Sequence, residues 1–250
     1  MAVPELLVTT ATRPDEALLQ RALVVSRRCG VPLTPRAHGL AAHLQAEGAR
    51  LAYVVGRQEE WLATAGARLK VDVGLLHAHL ALGPRHPLLR ALGPADHVID
   101  ATLGLCHDAL HVAATTGARV TGLEISPPLF SLAERGLSQL HAAGLDAAAR
   151  ITPLWGDARD LLTSAGPADA VLIAPMFDRP RCAPPGFDLL RHVARSAALD
   201  AGWLRAALAV APRVVIKARR TQPLPAFALP HLQQILRSRA IDYWVLSLGG

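Results

Sequence analysis

Three carboxylates carry the strongest chemical signal in the sequence. Asp100 closes the run HVID, Glu124 closes ARVTGLE, and Asp157 follows ARITPLWG. Each run is short, apolar and strand-like, and each is followed by apolar residues at helical spacing. The first turn then offers Thr102, Gly104 and Leu105, with Asp108 at the start of the helical stretch. A small-residue turn lets the backbone come close to a nucleoside. Glu124 stands 24 positions beyond Asp100, close to the spacing at which an acid accepts hydrogen bonds from ribose hydroxyls. Asp157 can accept from the exocyclic amine of an adenine. Each acid also has a plainer reading: a turn or helix-cap acid at 100 and 157, a surface acid at 124. The argument for a site is that three acids follow three consecutive strands on one edge of one sheet.

A dinucleotide site would need G-x-G-x-x-G and a helix N-terminus open to a pyrophosphate. Only Gly104 is present, and a carboxylate at Asp108 repels phosphate. A cofactor with an adenosine and a cation but no phosphate fits better, and S-adenosylmethionine is such a molecule. A nucleotide-sugar or dinucleotide enzyme is the weaker alternative for the same reasons.

The elements that must position these residues alternate. From residue 96 the pattern runs strand, helix, strand, helix through ADAVLIAPMF, the helical material of FDLLRHVARSAALDAGWLRAALAVA, the strand PRVVIKA, a helix over LPHLQQILRSR and a last strand IDYWVLSL. Such alternation predicts an α/β fold, a doubly wound, mostly parallel sheet with helices on both faces. Ligands of that architecture sit at the carboxyl ends of the strands, at the switch point. Residues 1–90 read differently. They hold strands at PELLVTT, LAYVVGR and RLKVDVGLL and a helix over DEALLQRALVVSRRCG, a small N-terminal α+β region. The proline- and glycine-rich join at 84–95 separates it from the domain at 91–250.

The chain has 250 residues, 51% hydrophobic, 18% charged and 4% aromatic, enough to bury a sizeable core. Its net charge of +6 favours polyanionic partners, but the excess is spread along the chain without a block of like charges. Cys29, Cys106 and Cys182 are far apart and lack CxxC spacing, which predicts reduced thiols in a cytoplasmic protein. The N-terminus does not read as a signal peptide, and no apolar run reaches membrane-span length. His77, His79 and His86 invite a metal reading, but no acid sits at ligand spacing. A loop or edge strand with no metal is the expectation. Trp155, Trp203 and Trp244 read as core or rim residues.

IDATLGLCHDALHVAATTGARVTGLEIS resembles the cofactor motif of the small-subunit ribosomal RNA guanine-N2 methyltransferases, D-A-T-A-G-L-G-x-D. It is closer still to bacterial relatives in which D-A-T-L-G-L and a following helical acid recur. APMF stands where the family has D-P-M-F, RVVIKARR resembles its R-V-V-V-K-R-P strand, and SRAIDYW its H-R-F-D-I-Y. The opening LLVTTATRPDEALLQRALVVSRRCGVPLTPR resembles those relatives too, so the likeness covers most of the chain in order. It implies a class I, Rossmann-like methyltransferase domain using S-adenosylmethionine, acting on ribosomal RNA. Carried over by position, Asp100, Thr102, Gly104, Leu105 and Asp108 surround the methionine moiety and the first turn. Glu124 with Ile125 holds the ribose, and Asp157 with Ala158 the adenine. Pro175, Met176 and Phe177 form the acceptor side, and Lys217 and Arg219 face the RNA. Apart from the resemblance, Arg179 and Arg181, just after the acceptor motif, are the best candidates for a phosphate contact, with a solvated loop as the plainer reading.

The chain departs from the pattern twice. Cys106 replaces the second glycine, and Ala174 replaces the acid of D-P-M-F. The lone pair of an exocyclic amine is delocalised into its ring. An acid and a neighbouring carbonyl that accept from the amine pyramidalise the nitrogen and aim the lone pair at the methyl carbon. Ala174 offers only its backbone carbonyl, and Asp178 lies four positions on. Three outcomes stay open: methylation of RNA guanine by a repaired site, methylation of another atom, or cofactor or RNA binding without turnover.

Overall fold

The computed structural model describes residues 5–175, 187–195 and 198–248. The N-terminal region builds a four-stranded sheet from β1 (Leu6–Thr10), β2 (Leu51–Val55), β3 (Glu60–Ala63) and β4 (Arg68–Leu69), in that order. β1 and β2 run parallel and the other pairs antiparallel. Helix α1 (Glu16–Cys29) joins β1 to the rest. It starts at Asp15, whose side chain accepts the Leu18 N–H, and stops at Gly30 in the left-handed conformation. Helix α2 (Leu40–Glu47) covers the far face of this sheet, over Leu7, Ala52 and Val54.

Two short helices follow, α3 (Gly74–Leu80) and α4 (Pro87–Leu92). α3 packs on α5 (His107–Thr116), and α4 on the strands at the centre and far edge of the large sheet. The predicted third strand is therefore real only at Arg68–Leu69. The rest of RLKVDVGLL is loop through Val73 and then the first turn of α3, whose start Asp72 fixes by accepting the Gly74 N–H. β3 and α2 had no reading from sequence.

The large sheet has seven strands: β5 (His97–Asp100), β6 (Arg119–Glu124), β7 (Ile151–Trp155), β8 (Ala170–Ile173), β9 (Arg213–Arg219), β10 (Leu232–Arg237) and β11 (Ile241–Leu246). Their spatial order is β10-β11-β9-β8-β5-β6-β7, with β11 antiparallel to both neighbours and the others parallel. The winding direction reverses between β5 and β8, and in doubly wound sheets ligands sit at the carboxyl ends of the strands at such a point.

The helices are α5, α6 (Pro127–Ala142), α7 (Ala158–Leu161), α8 (Phe187–Val193) and α9 (Ala201–Val210). Alternation along the strands feeds two cores. Val98, Val120, Leu172 and Val215 join the core that includes α4, α5, α6 and the inner face of the N-terminal sheet. Ile99, Leu123, Val171 and Ile216 face the other way, toward Trp203, Leu204 and Leu208 of α9. Trp203 and Trp244 are core residues, whereas Trp155 is exposed and stacks on Phe130.

The helix expected over LPHLQQILRSR is a correction. From Leu232 to Arg237 the segment is strand β10, paired antiparallel with β11 with one register shift between Leu232 and Gln234. Its apolar residues are few enough to satisfy either period, and pairing along the β11 edge decides the matter.

The N-terminal region is fastened to α6 by charge and shape. Arg21 bonds Glu60 at 2.9 Å and Glu134 at 3.2 Å, and Arg28 reaches Glu134 and the Ser131 hydroxyl, each at 3.0 Å. At Gly136 a Cβ would stand 2.5 Å from the Cβ of Val71, so only glycine lets α6 approach this closely.

Candidate active site at the sheet switch point

The turn after β5 is built by its own side chains. Asp100 is buried, and its Oδ1 accepts the Thr102 N–H at 3.0 Å and the Thr102 hydroxyl at 3.3 Å. The same hydroxyl accepts the Ala174 N–H at 2.8 Å, tying the end of β8 to the end of β5 across the switch point. Burial, and after it the charge of Asp108, push the Asp100 carboxyl up to about 7. A buried acid in this state stands ready to receive a cation.

Gly104 and Cys106 both take positive φ, +51° and +64°. Glycine adopts that region at no steric cost, and Cys106 occupies it with a side chain that is fully buried. Its thiol is pushed well above the ordinary range by burial, which makes it a packed residue and no nucleophile. Leu105 turns into the core.

Glu124 is buried at the end of β6. Its Oε2 accepts the Gly104 N–H and its Oε1 the Ser126 N–H, both at 2.8 Å. Each oxygen keeps further lone-pair capacity, enough for a ribose diol. Burial outweighs these bonds and raises its pKa. Ser126 was missed in the sequence, although a serine before two prolines is a helix-start signal. Its hydroxyl caps α6 and donates to the Val193 carbonyl at 2.7 Å, drawing α8 toward the site.

Asp157 caps α7, accepting the Arg159 N–H at 2.9 Å, and pairs with the Arg159 guanidinium. These bonds hold its carboxyl below the usual range. Ile125 is half-buried between Glu124 and Ser126, and Ala158 is buried just behind Asp157.

Asp108 and Lys217 meet. The Lys217 ammonium donates to both Asp108 oxygens, at 2.8 and 2.7 Å, with both side chains largely buried. The pair raises the Lys217 pKa and lowers that of Asp108, against the desolvation of each. Two expectations change. Lys217 spends its charge on Asp108 instead of facing outward. The phosphate-repelling acid is neutralised, so that argument against a dinucleotide no longer stands on charge. Arg219 closes β9 two residues on. Pro175 follows Ala174 just beyond the end of β8 and is half-buried. Met176, Phe177, Asp178, Arg179, Arg181 and Cys182 lie outside the described residues.

Two hydrogen-bonded groups thus stand at the strand ends, Asp100 with Thr102 and Ala174, and Glu124 with Gly104 and Ser126. The set fits an adenosyl sulfonium: a free acceptor pair on Glu124 for a diol, and a buried acid at Asp100 for a cation. Among the described residues no helix is long and apolar enough to cross a membrane.

No family model matches the chain. Over 176 residues it is 36% identical to the ribosomal RNA small subunit methyltransferase J of Rhodopseudomonas palustris strain HaA2, covering 66% of this chain and 80% of that protein. The methyltransferase J of Agrobacterium fabrum is 34% identical over 168 residues, covering 62% and 77%. Among solved structures, a SAM-dependent methyltransferase from Neisseria gonorrhoeae shares the fold, with a TM-score of 0.68 and 21% identity over 97% of this chain and 96% of that one.

Proposed function

Because the chain belongs to the ribosomal RNA small subunit methyltransferase J family, we propose that it methylates small-subunit ribosomal RNA from S-adenosylmethionine, at guanine N2. The observation that carries this reading is the bonded set at the switch point, with Glu124 and Asp100 both buried and both retaining acceptor capacity. Glu124 and Ile125 would hold the ribose, Asp157 and Ala158 the adenine, and Asp100, Thr102 and Gly104 the methionine end. When bound there, the cofactor supplies an electrophilic methyl group on a cationic sulfur. Asp100, ionised, balances that positive charge from a dry position.

On the acceptor side, Thr102 occupies the Ala174 N–H, which leaves the carbonyls of Ala174 and Pro175 to accept from the base amine. Pro175, Met176 and Phe177 are the proposed acceptor wall. Arg179, Arg181 and Arg219 are proposed phosphate contacts, with Lys217 held back by Asp108. The proposed ribosomal substrate supports a cytoplasmic location.

The test is transfer of labelled methyl from S-adenosylmethionine to isolated small ribosomal subunits and to their naked RNA, with the product nucleoside identified by mass spectrometry. N2-methylguanine supports the proposal, and a different methylated nucleoside reassigns the acceptor. Ala174 keeps a second reading in play, a binding protein without turnover. Tight binding of S-adenosylhomocysteine with no transfer to either RNA, combined with transfer by Ala174→Asp, would establish it.

A further inference from the structure

We propose that His79, His86 and His111 form a binding site for a late first-row divalent cation, zinc foremost. The rings come from three elements: His79 from α3, His86 from the residue that caps α4, and His111 from the middle of α5. Their centroids lie 4.4 to 4.8 Å apart. One nitrogen from each lies within 4.8 Å of the other two. The centre of such a triangle is at most about 2.8 Å from each nitrogen, and zinc–imidazole bonds are about 2.0–2.1 Å. Closing on the ion therefore takes a shift of less than about 1 Å per ring, within reach of small side-chain rotations.

Hydrogen bonding gives the second observation. His111 is fully buried and neither of its ring nitrogens has a partner; the Nδ1 of His79 is buried and unpartnered as well. A neutral imidazole carries one N–H and one lone pair, and buried polar groups are nearly always satisfied. The three imidazoles make no hydrogen bond to one another, the lone pair of His111 has no use, and a cation at the centre would give it one. His86 adapts most. Its Nδ1 accepts the Leu88 N–H at 3.2 Å, a long bond that ligation through that nitrogen would give up.

Charge is favourable. Burial of His86 and His111 disfavours a charged imidazolium, and the neutral ring is the form that ligates. Asp108 sits one turn before His111 on α5 and is already engaged by Lys217, so a fourth position is left for water. Three imidazoles suit zinc, copper or nickel and not magnesium or calcium, which want oxygen. The ion would fasten α3 and α4 onto the helix that leaves the cofactor turn. Sequence spacing could not show this, because His111 lies far along the chain from the HAH pair.

The test uses the full chain, incubated with zinc, desalted and analysed for metal. The expected content is about one zinc per chain, and cobalt(II) in its place should give the visible absorption of a four-coordinate, nitrogen-ligated ion. His79→Ala and His111→Gln should lose the metal with their circular dichroism unchanged. His77→Ala, on an exposed residue of the same helix, should keep it. If His111→Gln fails to fold, His79→Ala decides alone, because its side chain is partly exposed. A wild type with less than about a tenth of an equivalent of zinc, or a folded His79→Ala with full content, would leave the three histidines as a packed neutral stack.

Discussion

Replacing Glu124 by alanine should separate cofactor recognition from loop architecture. In the free protein its two oxygens take the amide protons of Gly104 and Ser126, each at 2.8 Å. With cofactor bound, the same oxygens would accept a ribose diol. Hydrogen bonds to a charged group contribute about 1.5–3 kcal/mol each, so two lost ribose bonds remove about 3 kcal/mol or more. That is a loss of at least about 100-fold in affinity, at about 1.4 kcal/mol per tenfold. The free protein pays as well. Two amides lose a buried acceptor, at about 1–3 kcal/mol each where water cannot replace it. Glu124→Gln is no rescue, because its NH2 group must face one of two donors. Calorimetric titration of S-adenosylhomocysteine gives the first number and urea unfolding of the apo protein the second. An alanine variant that binds within about threefold of wild type would refute the ribose assignment, whatever its stability. A variant as stable as wild type but unable to bind would show that the amide bonds contribute little to the turn.

Lys217→Met strands Asp108 in a largely buried position. Loss of one partner of a buried pair costs about 3–5 kcal/mol, at the low end here because both groups keep some exposure. Adding Asp108→Leu should recover most of it in urea unfolding, and no recovery would mean the pair is not the cause. Asp100 predicts a pH dependence. Its folded pKa, about 7, lies above the ordinary 3.8, so the folded state binds the extra proton. The stability this gives is fully present below about 3.8 and is lost as pH rises through 7. Cofactor affinity should move the other way, strengthening from pH 6 to 8 as the acid ionises, and Asp100→Asn should flatten both curves. Gly136→Ala drives a methyl group into Val71 and should cost about 1–3 kcal/mol, read by urea unfolding. A neutral result would show that α6 can slide away from the N-terminal sheet.

The parallel strands and the acids at their ends were legible because buried parallel strands are nearly continuous apolar runs and a helix must follow each one. β10 was not, since LQQILR satisfies both periods and only β11 tells them apart. β3 was missed because Glu60 and Trp61 look like loop residues. Glu60 is in fact buried, and tolerable there because Arg21, far away in sequence, and the Tyr53 hydroxyl both bond it. The same long-range pairing hid the site's electrostatics. Asp108 and Lys217 read separately as a cofactor-side acid and an RNA-side base, yet they share a proton-binding interaction across the sheet. Local pattern shows where a side chain sits in an element, and not which distant charge it meets.

Capping and ligand binding, treated as rivals when each acid is considered alone, turn out to be compatible at two positions and in competition at a third. A carboxylate has about four acceptor directions. Glu124 uses one on each oxygen to fix Gly104 and Ser126, and those bonds hold the carboxylate in one orientation. Asp100 uses one oxygen on Thr102, whose hydroxyl in turn fixes Ala174, and keeps the other. Both acids are therefore pre-aimed by the contacts that made them look structural. Preorganisation of this kind lowers the ordering that a ligand must impose. Asp157 differs. Its Oδ1 serves the helix cap and Arg159 together, and Oδ2 faces the same guanidinium. An adenine amine reaching Asp157 must displace or share Arg159, so this acid should contribute least of the three to cofactor binding and most of its effect should lie in holding α7 in place.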